Sequence, residues 1–481
     1  MRILLIRPPE INRVWVGIPK FFNTGIFLFP PLGLMQLKAY IEKNSHHKVI
    51  IYDSLVWRAD YRTVANFVRK VKPDVVGIST FTHSLKDVIE TAKAIKEVDK
   101  NIHITIGGPH TYSYPEESKY LILSGYIDEV VLGDGEEAFL KLIDSIEKKE
   151  VPQHVPGIIF KKNGELKRTG GVNFIQDLDK LPFPERKISH FQVYYTPASY
   201  GYLMTTAITS RGCPYQCIFC NTQKKYRARS VENVVDEIEE CKNLGFKEIF
   251  FIDDTFNITK ERVVQISEEI LQRGIKIKWG FKARCDNVDK EMLKIAQKAG
   301  CIRIHYGVET GEAKGLTTLR KGVTLERVKK TIQDTKKAGI RTIVYFMIGC
   351  PHERNISDIV ETINFARSLK ADYAVFSLFS PYPDTVSYKM GVEKGVLDFT
   401  AWEMFIKTFN TDSQLPTCWE EYFSKHQLLK FLKIAHRKFY YNPKRILGNL
   451  QNIHTFREFK RILQGGFALI RLELCFNPNS I

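Results

Sequence analysis

Residues 209 to 223 read TSRGCPYQCIFCNTQ, with cysteines at 213, 217 and 220 and no fourth beside them. Thiolates are soft ligands that select zinc, copper or iron–sulfur clusters. Structural zinc usually closes four positions with two ligand pairs, and the chain offers no second CxxC or HxxxH pair. Three cysteines spaced CxxxCxxC suit a cubane cluster whose fourth iron has no protein ligand, so that a small molecule can bind at the empty corner. The run directly follows LMTTAITS, an apolar stretch that predicts a strand. The thiols therefore fall on the loop at that strand's carboxyl end.

Outward from this loop one pattern repeats: helix, glycine, strand. NLGFKEIFFIDD, QRGIKIKWGFKAR, KAGCIRIHYGVE and KAGIRTIVYFMIG put Gly245, Gly274, Gly300 and Gly339 where a helix closes in a left-handed residue. Ser230, Thr259, Asp289 and Thr324 stand where those helices need N-caps. With LMTTAITS before them and ADYAVFSLF after, six strands alternate with helices over residues 195–395. An incomplete parallel (β/α)6 barrel of the TIM type is the economical reading. Parallel barrels place their chemistry on the carboxyl-end face, where the three cysteines lie.

Residues 1–150 alternate RILLI, KVIIYDS, DVVGIST, HITIGG and DEVVLGD with segments of helical period, which specifies a doubly wound, Rossmann-like parallel sheet. Its ligand-facing loops read Pro8-Pro9, Ser79-Thr80, Gly107-Gly108-Pro109-His110 and Gly133-Asp134-Gly135-Glu136. These small residues suit a large ligand pressing on the main chain. Residues 151–194, with KKNGELKRTGG and DKLPFPER, read as a linker that can hold a hairpin. Residues 396–481 read as a basic helical segment. Between Lys425 and Arg471 there are eleven Lys or Arg and one acid, Glu458, interleaved with aliphatic and aromatic residues. That tail reads either as an interfacial segment held by anionic lipid or as a helical cap with a solvated basic face.

At 481 residues the chain exceeds one ordinary domain. No run of eighteen apolar residues predicts a spanning helix. MRILLIRPPE is too short and too soon broken by proline for a secretory signal, so a cytoplasmic location is expected, with contact at a membrane surface through the basic tail as an option. Nine mostly scattered cysteines argue for reduced thiols rather than a disulfide framework. The net charge of +17 favours anionic partners. Nucleic acid is not expected, because no recognition module accompanies the charge.

Cys213, Cys217 and Cys220, with Phe219 before the last, on the loop after the first strand of a partial barrel, resemble the radical S-adenosylmethionine (SAM) enzymes. The resemblance implies a 4Fe-4S cluster whose unique iron is chelated by the amino and carboxylate groups of SAM. It also implies one-electron cleavage of the sulfonium to methionine and a 5′-deoxyadenosyl radical. FIDDTFN then supplies Asp253 and Asp254, where relatives bind the methionine amino group; KARCD supplies Arg284; and HYGVETG supplies Glu309, as an anchor for ribose or carboxylate. MIGCPHE, with Gly349 and Pro351, matches the loop along adenine, and Cys350 and His352 depart from its usual form. Cys285 and Cys350 stay unassigned, a small buried hydrophobe being the commoner role of a lone cysteine.

A doubly wound domain ahead of such a barrel resembles the cobalamin-binding subclass of the same superfamily. The resemblance rests on RPP, PPLGLMQLKAYI, GISTFTHS, IGGPHTYSYPEE and VVLGDGEEAF, and it makes Ser79, Thr80, Gly107, Gly108, Pro109, Gly133 and Gly135 the expected cobalamin contacts. Many carriers place DxHxxG after strand one, whereas this loop, PPEINRVWVGIPKFFNTGIFLFPPLG, has no histidine. A lower axial imidazole from that loop is excluded. The expectation is a nucleotide tail withdrawn into the fold and an open lower face. The loop's Trp15, Phe21, Phe22, Phe27 and Phe29 either cover the corrin, meet an apolar substrate or pack in the core. His83 and His110 read as hydrogen-bonding or surface residues.

The activity implied is methylation of an unactivated carbon, with cobalamin carrying methyl from one SAM and a second SAM generating the radical. The substrate expected is a small molecule or lipid, and the electron donor a carrier such as flavodoxin or ferredoxin. The alternative within the same architecture is ring formation or carbon–carbon coupling on a lipid or tetrapyrrole-like substrate. A sensor or carrier without turnover would have no need of Asp253, Asp254, Arg284 and Glu309 at strand ends.

Overall fold

The computed structural model describes residues 1–12, 28–188, 190–195, 199, 203–408 and 417–441. Apolar runs at Arg2–Arg7 (β1), Lys48–Asp53 (β2), Val75–Ser79 (β3), His103–Gly107 (β4) and Glu129–Val131 (β5) form parallel strands. The antiparallel hairpin Ile158–Lys162 (β6) and Glu165–Thr169 (β7) extends them, giving the order β2-β1-β3-β4-β5-β6-β7. The stretch 151–194 is therefore more than a linker. Its Ile158, Ile159 and Phe160 are buried because they finish the first domain's cores. The strand order reverses at β1, so the ligand crevice of this sheet lies beyond the carboxyl ends of β1 and β3.

The second unit opens with Met204–Ala207 (β8), the short pair Ser210–Arg211 (β9) and Arg227–Ala228 (β10), then Glu248–Phe251 (β11), Lys278–Ala283 (β12), Cys301–Glu309 (β13), Arg341–Ile348 (β14) and Tyr373–Leu378 (β15). All neighbours in the order β15-β14-β13-β12-β11-β8 are parallel. The four expected caps are real: Ser230, Thr259, Asp289 and Thr324 accept from the backbone N–H of Asn233, Arg262, Met292 and Arg327. Gly245, Gly274, Gly300 and Gly339 all follow their helices with positive φ.

Alternation decides what enters the barrel. Ile249, Phe251, Trp279, Phe281, Ala283, Ile304, Tyr306, Val308, Val344 and Phe346 belong to the large core packed against the surrounding helices. Phe250, Gly280, Lys282, Arg303, His305, Gly307 and Tyr345, at the intervening positions, line the lumen. Its floor is a buried ion pair between Arg303 and Glu248, with Arg303 4.8 Å from the Phe250 ring centroid. Gly280 gives that arginine room, since a Cβ there would lie 2.6 Å from Arg303 Cγ.

The helix Lys425–Tyr440 buries Leu428, Leu432, Ala435 and Phe439 on the barrel core and leaves Lys430, Arg437 and Lys438 exposed, the arrangement of a cap with a basic outer face. The rest of the basic tail and Trp15, Phe21, Phe22 and Phe27 lie outside the described residues. No described helix is long and apolar enough to cross a membrane.

Gly280→Ala should destabilise the protein by about 1–3 kcal/mol through overpacking at the barrel floor. Urea denaturation of the apoprotein measures it.

Candidate functional site: a three-cysteine loop between two strand-end faces

The cysteine loop leaves β9 at Gly212 and returns to β10. Gly212 has φ +86°, and a side chain there would strike the Lys225 carbonyl, so the loop is closed around a residue that must be glycine. Cys213 N–H donates to the Gln223 carbonyl (2.8 Å) and Cys220 N–H to the Cys217 carbonyl (3.2 Å). All three thiols are free, Cys217 buried and the others partly buried. They are not among the described groups whose ligand atoms all lie within 4.8 Å of one another. A single tetrahedral zinc would draw its sulfurs to about 3.8 Å. The wider spacing and the lack of a fourth ligand fit a cluster.

Cations flank the loop. Arg284 Nη1 lies 3.9 Å from Cys217 Sγ, its guanidinium is stacked 3.6 Å above the Tyr215 ring centroid, and Asp286 holds it at 2.7 Å. Lys321 Nζ is 2.8 Å from Glu309 Oε1 and 5.9 Å from the Phe219 ring centroid. Burial pushes the Cys217 thiol pKa up, while Lys321 and Arg284 pull it down and so favour the thiolate that a metal needs. Glu309 stands at φ +76°, past a register shift in β13, and its carboxylate lies over Gly307, where a Cβ would come within 2.5 Å of Oε1. A non-glycine residue held in that region marks a site that the surroundings over-determine.

The two aspartates after β11 divide their work. Asp253 is buried and accepts from Thr209 N–H (2.9 Å), Thr209 Oγ1 (2.6 Å) and Ser210 Oγ (2.6 Å), which spends both oxygens on clamping the strand before the loop. Asp254 accepts from Gly212 N–H at 3.0 Å and keeps accessible surface. Burial raises its pKa against the pull of that N–H and of Lys282.

Beyond β14, Glu353 Oε2 accepts from the N–H groups of Gly349 (2.6 Å) and Cys350 (2.9 Å), fixing the loop that carries buried Pro351. Gly349, at φ +81°, lies so near Leu428 of the C-terminal helix that a Cβ would sit 2.9 Å from it. His352 Nε2 meets Thr310 Oγ1 at 3.1 Å, and burial lowers its pKa to about 4. Phe219 packs with Ile218, Leu319, Cys350, Phe379 and Trp419. Cys350 and Cys285 are buried apolar fillers whose burial raises their thiol pKa values, that of Cys285 to about 12.

On the facing domain, Thr80 N–H donates to the Gly107 carbonyl (2.8 Å), and His110 N–H to the Thr80 carbonyl (3.0 Å). Gly108, at φ +119°, leads into the helix Pro109–Ser113, and its Cβ would stand 3.5 Å from Ser79 Oγ. Gly107 and Gly135 meet nothing closer than 3.7 and 3.5 Å, so the protein itself leaves space for side chains there. Bare main chain where the fold does not demand it fits a large ligand such as a corrin lying on this face. Gly133 is different, because a Cβ would strike the Asn173 carbonyl, and the chain that follows the hairpin accounts for it. His110 is buried with Nδ1 3.1 Å from Thr82 Oγ1, and His83 Nε2 lies 3.6 Å from Glu10.

The two faces are riveted together. Arg211 Nη1 is 2.9 Å from Asp134 Oδ1, Arg211 Nη2 2.5 Å from Glu136 Oε1, and Arg227 Nη1 2.5 Å from Asp134 Oδ2. Asn221, next to Cys220, donates to the Ser113 carbonyl, and Tyr114 stacks on Tyr382 at 5.6 Å. An open cleft of about 880 Å³ along Phe183, Arg186 and Glu240 contains none of these strand-end residues.

A cubane-type thiolate loop on the carboxyl-end face of a partial barrel, opposed by a doubly wound domain with a bare ligand face, defines a two-domain iron–sulfur enzyme. The B12 binding domain model matches residues 26–143, and the Radical SAM superfamily model matches residues 207–366. An uncharacterized methyltransferase of Pyrococcus horikoshii is 31% identical over 473 residues, 97% of this chain and 98% of that one. An anaerobic magnesium-protoporphyrin IX monomethyl ester cyclase of Cereibacter sphaeroides is 30% identical over 372 residues, 74% of this chain and 59% of its own. Among solved structures, the radical SAM methyltransferase TsrM from Kitasatospora setae, with cobalamin and a 4Fe-4S cluster bound, shares the fold at TM-score 0.67 and 18% identity over 82% of this chain and 75% of that one. The cobalamin-dependent radical enzyme OxsB does so at TM-score 0.72 and 18% identity, over 98% and 71%. The chain belongs to the cobalamin-binding radical SAM enzymes, whose cofactors are a 4Fe-4S cluster, SAM and cobalamin.

Sequence reasoning missed Lys321, Arg211 and Arg227. Arg211 lies in the quoted cysteine stretch but Lys321 and Arg227 in no motif, and only the register of loop against loop reveals what all three pair with.

Cys217→Ala should abolish cluster assembly and leave corrin binding intact; iron and sulfide assays beside the visible spectrum check it. Burial raises the Glu353 pKa from 4.5 to about 8, so the folded state keeps a proton that the unfolded chain loses. Its contribution to stability is full below pH 4.5 and is lost as pH rises towards 8, at up to about 1.4 kcal/mol per pH unit. Glu353→Gln should flatten that part of the pH profile of apoprotein unfolding.

Proposed function

We propose that the protein methylates an unactivated carbon of a small-molecule or lipid-like substrate. The observation that carries this reading is the seam itself: the cluster loop and the face expected to hold the corrin are joined through Asp134, Glu136 and Ser113. The Pyrococcus relative, which bears the name methyltransferase over nearly its whole length, supports it, as does a hopanoid C-3 methylase of Methylococcus capsulatus at 26% identity over 376 residues. When bound, the cluster and SAM supply the radical and cobalamin carries the methyl group.

The chain's own residues do the rest. Cys213, Cys217 and Cys220 would hold the cluster, with Arg284 and Lys321 balancing thiolate charge. Lys321 also fixes Glu309, and Glu353 holds the Gly349–Pro351 loop, both at strand ends where SAM would lie. Asp254 retains accessible surface for the methionine amino group. Ser79, Thr80 and the main chain at Gly107, Gly108 and Gly135 would carry the corrin. A net charge of +17 complements an acidic flavodoxin or ferredoxin as electron donor.

Ring formation is the second reading, favoured by the likeness to the protoporphyrin ester cyclase. Product mass separates the two. Turnover with SAM, a reductant and the true substrate should add one CH2 unit, whereas net loss of hydrogen would establish cyclisation.

A further inference from the structure

Three polar side chains meet in the barrel lumen, on adjacent strands. Lys282 of β12 is the register partner of His305 of β13. His305 Nδ1 lies 2.8 Å from the hydroxyl of Tyr345 on β14, and its Nε2 is buried without a partner among the described residues. Below them the Arg303–Glu248 pair closes the floor, and the Phe250 ring stands 4.6 Å from the imidazole centroid.

Three of the carboxylates that face this space hold ion pairs, and neither Asp254 nor Lys282 does so among the described residues. Glu309 is paired with Lys321, Asp286 with Arg284 and Glu248 with Arg303. Asp254 takes the Gly212 N–H. Lys282 keeps accessible surface, and among the described residues it makes no ion pair or hydrogen bond through its ammonium group. Burial disfavours its charge, and Asp254 and Asp253 restore it only in part. His305 cannot serve as counter-charge, being held neutral by burial and by the neighbouring Arg303 and Lys282. The exposed ammonium group of Lys282 is therefore open to a ligand that enters the lumen. An anion beside Lys282 would give it a hydrogen-bonded counter-charge, and Tyr345 and His305 add a hydroxyl and a ring nitrogen at the same level.

We propose that Lys282, backed by the Tyr345–His305 pair, anchors an anionic group of the substrate, a carboxylate or a phosphate ester, in the barrel lumen above its Arg303–Glu248 floor. The rest of the substrate would rise from there toward the cluster loop. This rests on the functional reading above only in that the substrate enters the lumen, and it holds for methylation and for ring formation alike.

The test uses the reconstituted holoenzyme with SAM bound, and benzoate, phenyl phosphate and neutral benzamide as probes in calorimetric titration. Wild-type protein should bind at least one anion saturably, and its preference identifies carboxylate or phosphate. Lys282→Met should weaken that anion at least about tenfold, the loss expected for a charge-assisted contact. Benzamide affinity, SAM affinity, iron content and corrin content should match wild type, showing an intact lumen. Tyr345→Phe should weaken the anion by a smaller factor. Saturable binding of neither anion to wild type, or a loss of SAM affinity in Lys282→Met in step with any anion loss, overturns the proposal. Because binding is read without turnover, the outcome stands whether or not the product gains a methyl group.

Discussion

Everything at the centre of this molecule depends on one buried carboxylate. Asp134 receives Arg211 on one oxygen and Arg227 on the other, and those two arginines are the stems of the cysteine loop. The carboxylate also accepts from the Ile175 N–H, and the Asp134 backbone N–H donates to the Asn173 carbonyl. Removing one partner of such a buried set commonly costs about 3–5 kcal/mol, because charge is left without a counterpart. The loop that holds the thiols is thus built from both domains, and the distance between the two ligand faces is fixed by side chains rather than by linker length.

Around the loop the protein spends strain and charge to keep its shape without help. Glu309 sits in left-handed backbone and is pinned by Lys321, while Arg284 is held by Asp286, Tyr215 and the Lys321 carbonyl. Each of these groups is immobilised before any ligand arrives, so little reorganisation is left for the binding step.

Much of this was legible in the sequence, for identifiable reasons. Helix caps at Ser230, Thr259, Asp289 and Thr324 and the glycines that close the helices are local signals, and local signals survive folding. The cysteine spacing is local too, and its place after β8 follows from counting strands. What stayed hidden depends on pairing across long separations. Asp253 looked like a ligand beside Asp254, but Thr209 and Ser210, more than forty positions earlier, occupy it. A hairpin was expected within 151–194, but its place in the first sheet was not, because only one of its strands is buried. Lys282 was passed over because a lysine in a strand reads as surface, and only the register with His305 turns it inward.

The N-terminal half reaches the inner wall of the six-stranded barrel. Leu28 forms a bridge with Tyr195, and the Phe29 ring stacks 6.1 Å from that of Phe250. Neither half therefore owns a complete reaction chamber. Grafting one onto a foreign partner would leave a vessel with a missing side, so a lineage that changes its chemistry must remodel both halves together.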